Sequence, residues 1–288
     1  MVRSAACRKE YAAGAEVRIT ELGETTVFEY GDRVLVTSQK GRSWLVKIVD
    51  GPFSCHLGTI DLNRLVGLAD GDSLVTGKGA RLFLFTPSLC DCIFKLKRRT
   101  QIIYPKDLGT MLFYGDVYPG LTVLESGIGS GALSLALLRA IGSRGRLISV
   151  ENRLEFAQMA RANVQRFGNG SARNHSIIVA DVQDVALRGA VDRVFLDLPE
   201  PWVAVETAAH ALKRGGLLVS LSPQVSQVQL THRELRRHGF SRLSSFEILK
   251  RDWEIDDRRA RPTDRMVAHT GFITMAKKVD APTQSEPA

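Results

Sequence analysis

Between residues 121 and 223 five apolar runs, LTVLE, RLISVE, SIIVAD, DRVFLD and GGLLVSLSP, are separated by stretches with helical spacing. Short apolar runs that alternate with helices build βαβ units, whose parallel strands are joined by right-handed crossovers. The pattern therefore predicts a Rossmann-like α/β domain over 89–278, with strands at 121–125, 146–151, 176–181, 192–197 and 215–223. Helices are expected from SLALLRAIG, LEFAQMARANVQRFG, WVAVETAAHAL and VSQVQLTHRELRRHG, and two further strands from SSFEILKRDWEI and GFITMAKK. Residues 1–88 read differently. Short runs (TTVFEYG, DRVLVTSQKG, SWLVKIVDG, GDSLVTGKG, ARLFLFTP) lie between glycine turns, which predicts a small N-terminal β domain. The polar tail, 279–288, is expected to be disordered.

The first four strands of the larger domain each close on an acid: Glu125, Glu151, Asp181 and Asp197. In a parallel sheet these ends face one edge, where ligands bind near the switch in strand order. Packing alone does not explain four carboxylates there, because a buried unpaired carboxylate is costly. The fourth is followed by a rigid turn, Asp197-Leu198-Pro199-Glu200-Pro201-Trp202. Either Asp197 caps that turn, or it is held there to touch something.

Other chemistries find little support. The four cysteines and six histidines have no metal-ligand spacing, and no serine or cysteine sits in a nucleophile motif, so neither a metal site nor a hydrolase triad is expected. No apolar stretch approaches a membrane span, and the first residues lack a signal-peptide core, so a cytoplasmic chain is expected. Lys plus Arg exceed Asp plus Glu by 39 to 31, a balance of +8 that favours a polyanionic partner. Basic clusters at 95–99 (KLKRR) and 258–265 (RRARPTDR) are candidate phosphate contacts.

The loop after the first strand is Glu125-Ser126-Gly127-Ile128-Gly129-Ser130-Gly131, and Glu151 follows Gly127 by 24 residues. That setting suits a nucleotide whose ribose hydroxyls are taken by Glu151. Both NAD and S-adenosylmethionine meet this requirement. The third glycine comes one residue early for a dinucleotide fingerprint, and Glu125 repels a pyrophosphate but suits a cationic sulfonium. Asp181 can accept from an adenine amino group. These points favour S-adenosylmethionine.

With these residues the chain resembles the tRNA adenine-N1 methyltransferases that act at position 58 in the T loop. The resemblance rests on Arg99-Thr100-Gln101-Ile102-Ile103-Tyr104-Pro105-Lys106-Asp107, the loop Glu125 to Gly131, Glu151-Asn152-Arg153, the Asp197–Trp202 turn, and Arg261-Pro262 through Met266 to His269-Thr270-Gly271-Phe272. It implies a class I methyltransferase domain behind a β-rich N-terminal domain. It also implies cofactor contacts at Ser130, Gly131, Ala132, Leu133, Glu151 and Asp181; Gln101, Glu125, Gly127 and Gly129 are counted with them. Asp197 and Tyr104 are placed around the target base as catalytic candidates, with Asp197 also reaching the cofactor. Implied partners are tRNA and three further copies in a homotetramer, or a non-catalytic subunit if the chain is eukaryotic. Three rival readings stand: a non-catalytic RNA-binding subunit, a methyltransferase for another substrate, and an NAD-dependent oxidoreductase. Retention of the glycines and strand-end acids argues against the first, the 197–202 turn against the second, and the loop spacing against the third.

Overall fold

The computed structural model of the chain describes residues 27–99, 101–168 and 171–280. The chain divides into two compact units, Met1–Pro87 and Ser88–Ala288. In the first unit the strands are β1 (Arg33–Ser38), β2 (Ser43–Lys47), β3 (Pro52–Cys55), β4 (Gly58–Asp61), β5 (Ser73–Val75) and β6 (Arg81–Phe85). Four of them form an antiparallel sheet in the order β2-β1-β6-β5, and β3 and β4 form a hairpin. Alternation does what it should: Val34, Val36, Leu82 and Leu84 point into the core and are fully buried. The run TTVFEYG does not form a strand among its described residues. Val27 makes one bridge to Ala69, and the chain then turns as Asp32 Oδ2 accepts from the Glu29 N–H at 2.8 Å. Thr25 and Thr26 lie outside the described residues.

The second unit opens at Ser88, which caps α1 (Leu89–Phe94) in a reciprocal capping box with Asp91. Next comes α2 (Pro105–Tyr114), whose Pro105 sits in the first turn where a missing N–H costs nothing. The apolar runs then follow in order: β7 (Thr122–Ser126), α3 (Ala132–Ile141), β8 (Arg146–Glu151), α4 (Leu154–Phe167), β9 (His175–Val179), β10 (Val191–Leu196), α5 (Val205–Ala211), β11 (Leu212–Ser222) and α6 (Val225–Arg237). The chain ends with β12 (Phe240–Phe246), β13 (Trp253–Asp256), β14 (Arg259–Pro262) and β15 (Phe272–Lys278). SSFEILKRDWEI is therefore two strands rather than one. Its first half stays in the main sheet, and its second half leaves to pair with Arg259–Pro262. The expected tail also begins later, because the Val279 N–H donates to Gly239 O (2.9 Å) and Asp280 pairs with Arg214. The remainder, 281–288, lies outside the described residues.

The seven-stranded sheet has the order β12-β15-β11-β10-β7-β8-β9, with β15 antiparallel to its two neighbours and the other pairings parallel. From β7 the chain winds outward through β8 and β9, then returns to the other side of β7 to lay down β10. The switch in strand order thus falls between β7 and β10, where a crevice opens at the strands' carboxyl ends. Helix α3 is apolar on nearly every face, in keeping with its burial behind the sheet. No helix among the described residues is long and apolar enough to cross a membrane. Cys55, Cys90 and Cys92 are free thiols.

Candidate active site

A cavity of about 980 Å³ occupies the carboxyl edge of this sheet. One wall is the loop after β7 with Glu151 and Asp181; the other includes Asp197, Leu221, Pro223 and Thr270. Gln101, Gly127, Gly129, Ser130, Ala132 and Leu133 also reach it. Most of the residues singled out in the sequence are thus brought together. Three are not on the wall: Glu125, Gly131 and Tyr104.

Glu125 is fully buried beneath the loop. Its Oε2 accepts from Ser134 Oγ (2.7 Å) and Ser149 Oγ (2.5 Å), and Ser149 in turn meets His175 Nε2 at 2.8 Å. Strand β7 runs one residue past Glu125, and Glu125 pairs with Ser149 of β8, two residues short of Glu151, so it lies deeper in the sheet than the ligand edge. Burial pushes its carboxyl up to about 7, against the lowering effect of the two serines and with repulsion from Asp197 and Glu151. Burial, with Arg161 nearby, likewise lowers His175 to about 4, so the ring is neutral at physiological pH. Glu125 is therefore a buried support and not a cavity contact. Gly131 takes a left-handed conformation (φ 81°) just ahead of α3, and a side chain on it would press on Ala160 of α4 at 3.3 Å. Tyr104 is the residue before α2, one position beyond Ile103, and its carbonyl accepts from Asp107 and Leu108.

Glu151 is buried at the end of β8. Its two oxygens accept from the Gly129 N–H (3.3 Å) and the Arg153 N–H (3.1 Å). Arg153 Nε also stands 3.6 Å from Oε1, and with about four acceptor positions the carboxylate keeps unused capacity on the cavity wall. Asp181 accepts from Asn152 Nδ2 at 2.9 Å through Oδ1. The glycine loop is tied down by a residue the sequence reading overlooked: Asn163 on α4 donates to Ser130 O (2.8 Å) and Lys97 O (2.9 Å).

Asp197 sits one residue past β10, directly across the switch point from the loop. Its N–H donates to Ser126 O at 2.9 Å, which extends the β7–β10 ladder by one rung. A Cβ on Gly127 would lie 2.1 Å from the Asp197 carbonyl oxygen. The approach of the Asp197 backbone is thus enough by itself to require this glycine. Among the described residues no donor meets the Asp197 carboxylate, and burial together with nearby Glu151 pushes it up to about 6. The following turn is held from outside, by Gln227 Nε2 on Pro199 O (2.8 Å) and Gln183 Nε2 on Val203 O (3.3 Å). Gln227 also closes the capping box at the start of α6 with Gln224, but nothing local in the sequence points either glutamine at this turn.

The two basic clusters part company. Lys95, Lys97, Arg98 and Arg99 are exposed just ahead of Gln101, with no carboxylate partner among the described residues. In the β13–β14 hairpin Arg259 pairs with Glu254 (3.0 Å) and Asp256 (3.1 Å), and Arg261 with Glu254 (2.9 Å) and Asp264 (2.5 Å). Over 253–265 four arginines face four acids, so this segment carries no net charge. Its other face presents Trp253, Ile255, Ala260 and Pro262, with Trp253 58% and Ile255 76% exposed.

The cavity suits S-adenosylmethionine on its own terms. Glu151 keeps unused acceptor capacity for a ribose diol, Ile102, Ile103 and Leu133 supply apolar wall, and α3 begins at the loop with no side-chain cap on its first N–H groups. Comparison with known proteins agrees. A family described as tRNA methyltransferase complex GCD14 subunit matches residues 80–269, and a TrmI-like N-terminal family matches 27–74. The chain is 32% identical to a Methanocaldococcus jannaschii tRNA (adenine(57)-N(1)/adenine(58)-N(1))-methyltransferase, TrmI, over 88% of this chain and 97% of that one. It is 34% identical to a Thermus thermophilus tRNA (adenine(58)-N(1))-methyltransferase, also TrmI, over 85% and 96% respectively. Among solved structures, a Thermotoga maritima protein described as a SAM-dependent O-methyltransferase superposes with a TM-score of 0.84 at 36% identity, covering 91% of this chain and 97% of that one. The Aquifex aeolicus tRNA (m1A58) methyltransferase TrmI gives 0.79 at 28% identity, with 89% and 100% covered. The chain belongs to the GCD14/TrmI family of tRNA methyltransferases, as an S-adenosylmethionine-dependent enzyme with a Rossmann-like methyltransferase domain.

Proposed function

We propose that the protein methylates N1 of an adenosine in the T loop of tRNA, at position 58, with Asp197 as its catalytic carboxylate. The observation that carries this reading is Asp197 itself: a carboxylate on the cavity wall, at the switch point, met by no donor among the described residues. S-adenosylmethionine supplies an electrophilic methyl group. Adenine N1 has a lone pair and no proton to lose first, so the site needs no strong base. What it needs is a partner for the positive charge that grows on the adenine. Asp197 accepts a hydrogen bond from the adenine amino group, which orients N1 and stabilises the transition state more than the ground state.

On the other wall, Glu151 takes the ribose hydroxyls of the cofactor and Asp181 its adenine amino group, with Gln101, Gly129 and Ser130–Leu133 around them. Tyr104 lies one residue from the wall and meets the target base as it enters. Unstacking that base costs a few kcal/mol, which an aromatic contact partly offsets. The exposed cluster at 95–99, rather than the self-neutralised hairpin, is where tRNA phosphates dock. Replacing Arg98 and Arg99 by Ala should weaken tRNA binding and flatten its salt dependence, while Arg259→Ala leaves the salt slope unchanged. Equal slopes for the three proteins would remove this assignment.

The chain acts as a homotetramer, with the apolar face of the β13–β14 hairpin covered by another copy. A two-stranded ribbon is marginal by itself, and this one exposes a tryptophan and an isoleucine. Relatives from Dictyostelium discoideum and Cryptococcus neoformans are named as catalytic subunits, so pairing with a different subunit is the competing arrangement. The mass of the purified chain by light scattering separates the two. The chemical assignment is tested by incubating the protein with unmodified tRNA and isotopically labelled cofactor, then digesting the RNA for mass spectrometry. Labelled 1-methyladenosine at position 58 is expected. Another nucleoside, or label only at 57, would overturn it.

A further inference from the structure

The segment Tyr104-Pro105-Lys106-Asp107 stands out in the sequence, yet the activity above uses only its tyrosine. Lys106 and Asp107 occupy the first turn of α2 and are almost wholly buried, with side chains 8% and 0% exposed. Lys106 Nζ donates to Asp107 Oδ1 (2.8 Å), to Ile248 O (2.7 Å) and to Thr270 Oγ1 (2.5 Å). Thr270 Oγ1 donates onward to Asp107 Oδ2 at 2.7 Å. Every proton of the ammonium is used, and each carboxylate oxygen accepts one bond. The result is a closed ring of three side chains in which Thr270 lies more than 160 residues from the other two.

A buried ion pair is an expensive way to gain stability, since the desolvation of both charges offsets most of their attraction. What this one secures is position. Thr270 is on the cavity wall beside Asp197 and Pro223. The residue before it, His269, bridges Glu247 Oε2 (2.8 Å) and Pro223 O (2.9 Å). The residue after it, Gly271, packs so closely that a Cβ there would meet Leu221 at 2.9 Å. Lys106 meanwhile lies two residues from Tyr104 and holds Ile248 as well. The ring therefore couples the start of α2, where the base is admitted, to the far strip of the same wall.

We infer that Lys106, Asp107 and Thr270 form a positioning clamp that sets the substrate wall of the cavity relative to Tyr104, without contact to the cofactor or the reacting atoms. This rests on the methyltransfer reading, and wild-type turnover on unmodified tRNA tests that reading separately.

The decisive variants are Thr270→Val, which keeps the shape but removes the hydroxyl, and Thr270→Ser, which keeps the hydroxyl. A small misplacement of the wall from a site that does no chemistry costs on the order of 10- to 100-fold in rate. For Thr270→Val we expect a kcat loss of that order, with the Kd for S-adenosylmethionine within about 2-fold of wild type by titration calorimetry. For Thr270→Ser we expect kcat within about 3-fold, since the same two bonds can form. If Thr270→Val loses its cooperative thermal transition, Asp107→Asn, which keeps an acceptor and the side-chain shape, takes its place with the same readouts. The inference is overturned if the valine variant turns over normally, if serine fails to rescue, or if cofactor affinity falls in step with kcat. Absence of methylation by the wild-type protein would instead remove the underlying reading.

Discussion

The two walls of the cavity are built by different means. The wall proposed for the cofactor comes from the ends of three adjacent strands and is closed mainly by backbone: Gly127 N–H on Val150 O, Gly131 N–H on Ile128 O, Gly129 N–H on Glu151. The wall proposed for the substrate is gathered from segments around residues 197, 223 and 270, and side chains hold it: Gln227 on Pro199, His269 on Pro223, Lys106 and Asp107 on Thr270. A wall made of ladder rungs tolerates most side-chain changes. A wall made of long-range side-chain bonds can be loosened by one substitution while its neighbour stays intact. The two should therefore fail separately, except at the one place where they touch.

The largest separation is expected at Asp197. Removing a preorganised electrostatic partner costs on the order of 100- to 1,000-fold in rate. Asp197→Ala should show that loss in kcat on tRNA while the protein folds normally and still binds S-adenosylmethionine. Near-normal turnover would return Asp197 to the role of a turn cap.

Gly127 is where the walls meet, and Gly127→Ala should injure both. Its φ of 86° is strained for alanine, and the added methyl collides with the Asp197 carbonyl. We expect kcat to fall about 10- to 100-fold, with cofactor affinity weakened in the same variant. Loss of only one property would mean that the walls are less tightly joined than their backbone contact implies.

A milder perturbation is acid. Asp197 is pushed up to about 6 by burial and Glu151, and in the mechanism proposed above its ionised form is the active one. Turnover should halve near pH 6 and approach a 10-fold loss near pH 5, before cofactor binding is affected to the same degree. A rate flat from pH 8 to 5 would sink the role of the ionised carboxylate.

Much of the glycine-loop wall was legible in the sequence as structure because its parts are local: strand, glycine loop, helix, and an acid on the next strand. The parallel order followed from the alternation of runs. Glu125 looked like the other strand-end acids, but it pairs with Ser149, two residues short of Glu151 on the same sheet face, and so lies one step beneath the loop. Charge counting likewise equated two basic clusters, although the acids that neutralise Arg259 and Arg261 lie within the hairpin itself. The substrate wall was legible only in pieces. Tyr-Pro-Lys-Asp and His-Thr-Gly-Phe both stood out, but nothing in either shows that Lys106 meets Thr270.

The smallest expected effect concerns Glu125, and it tests whether this residue belongs to either wall. Its folded value, about 7, lies above the ordinary carboxyl value of 4.5, so the folded protein binds this proton more tightly than the unfolded chain does. The stability it contributes is full below about 4.5 and is lost as pH rises through about 7, where folding must accommodate a buried charge. Glu125→Gln keeps an oxygen to accept from Ser134 and Ser149 and never ionises. Relative to wild type, its thermal midpoint should therefore climb by a few degrees between pH 5 and pH 8, with the Kd for S-adenosylmethionine within about 3-fold. A midpoint difference that ignores pH would show that Glu125 is not the buried titrating group. A large loss of cofactor affinity would put its carboxylate back on the cavity wall, because a glutamine satisfies the two serines but cannot answer a cation.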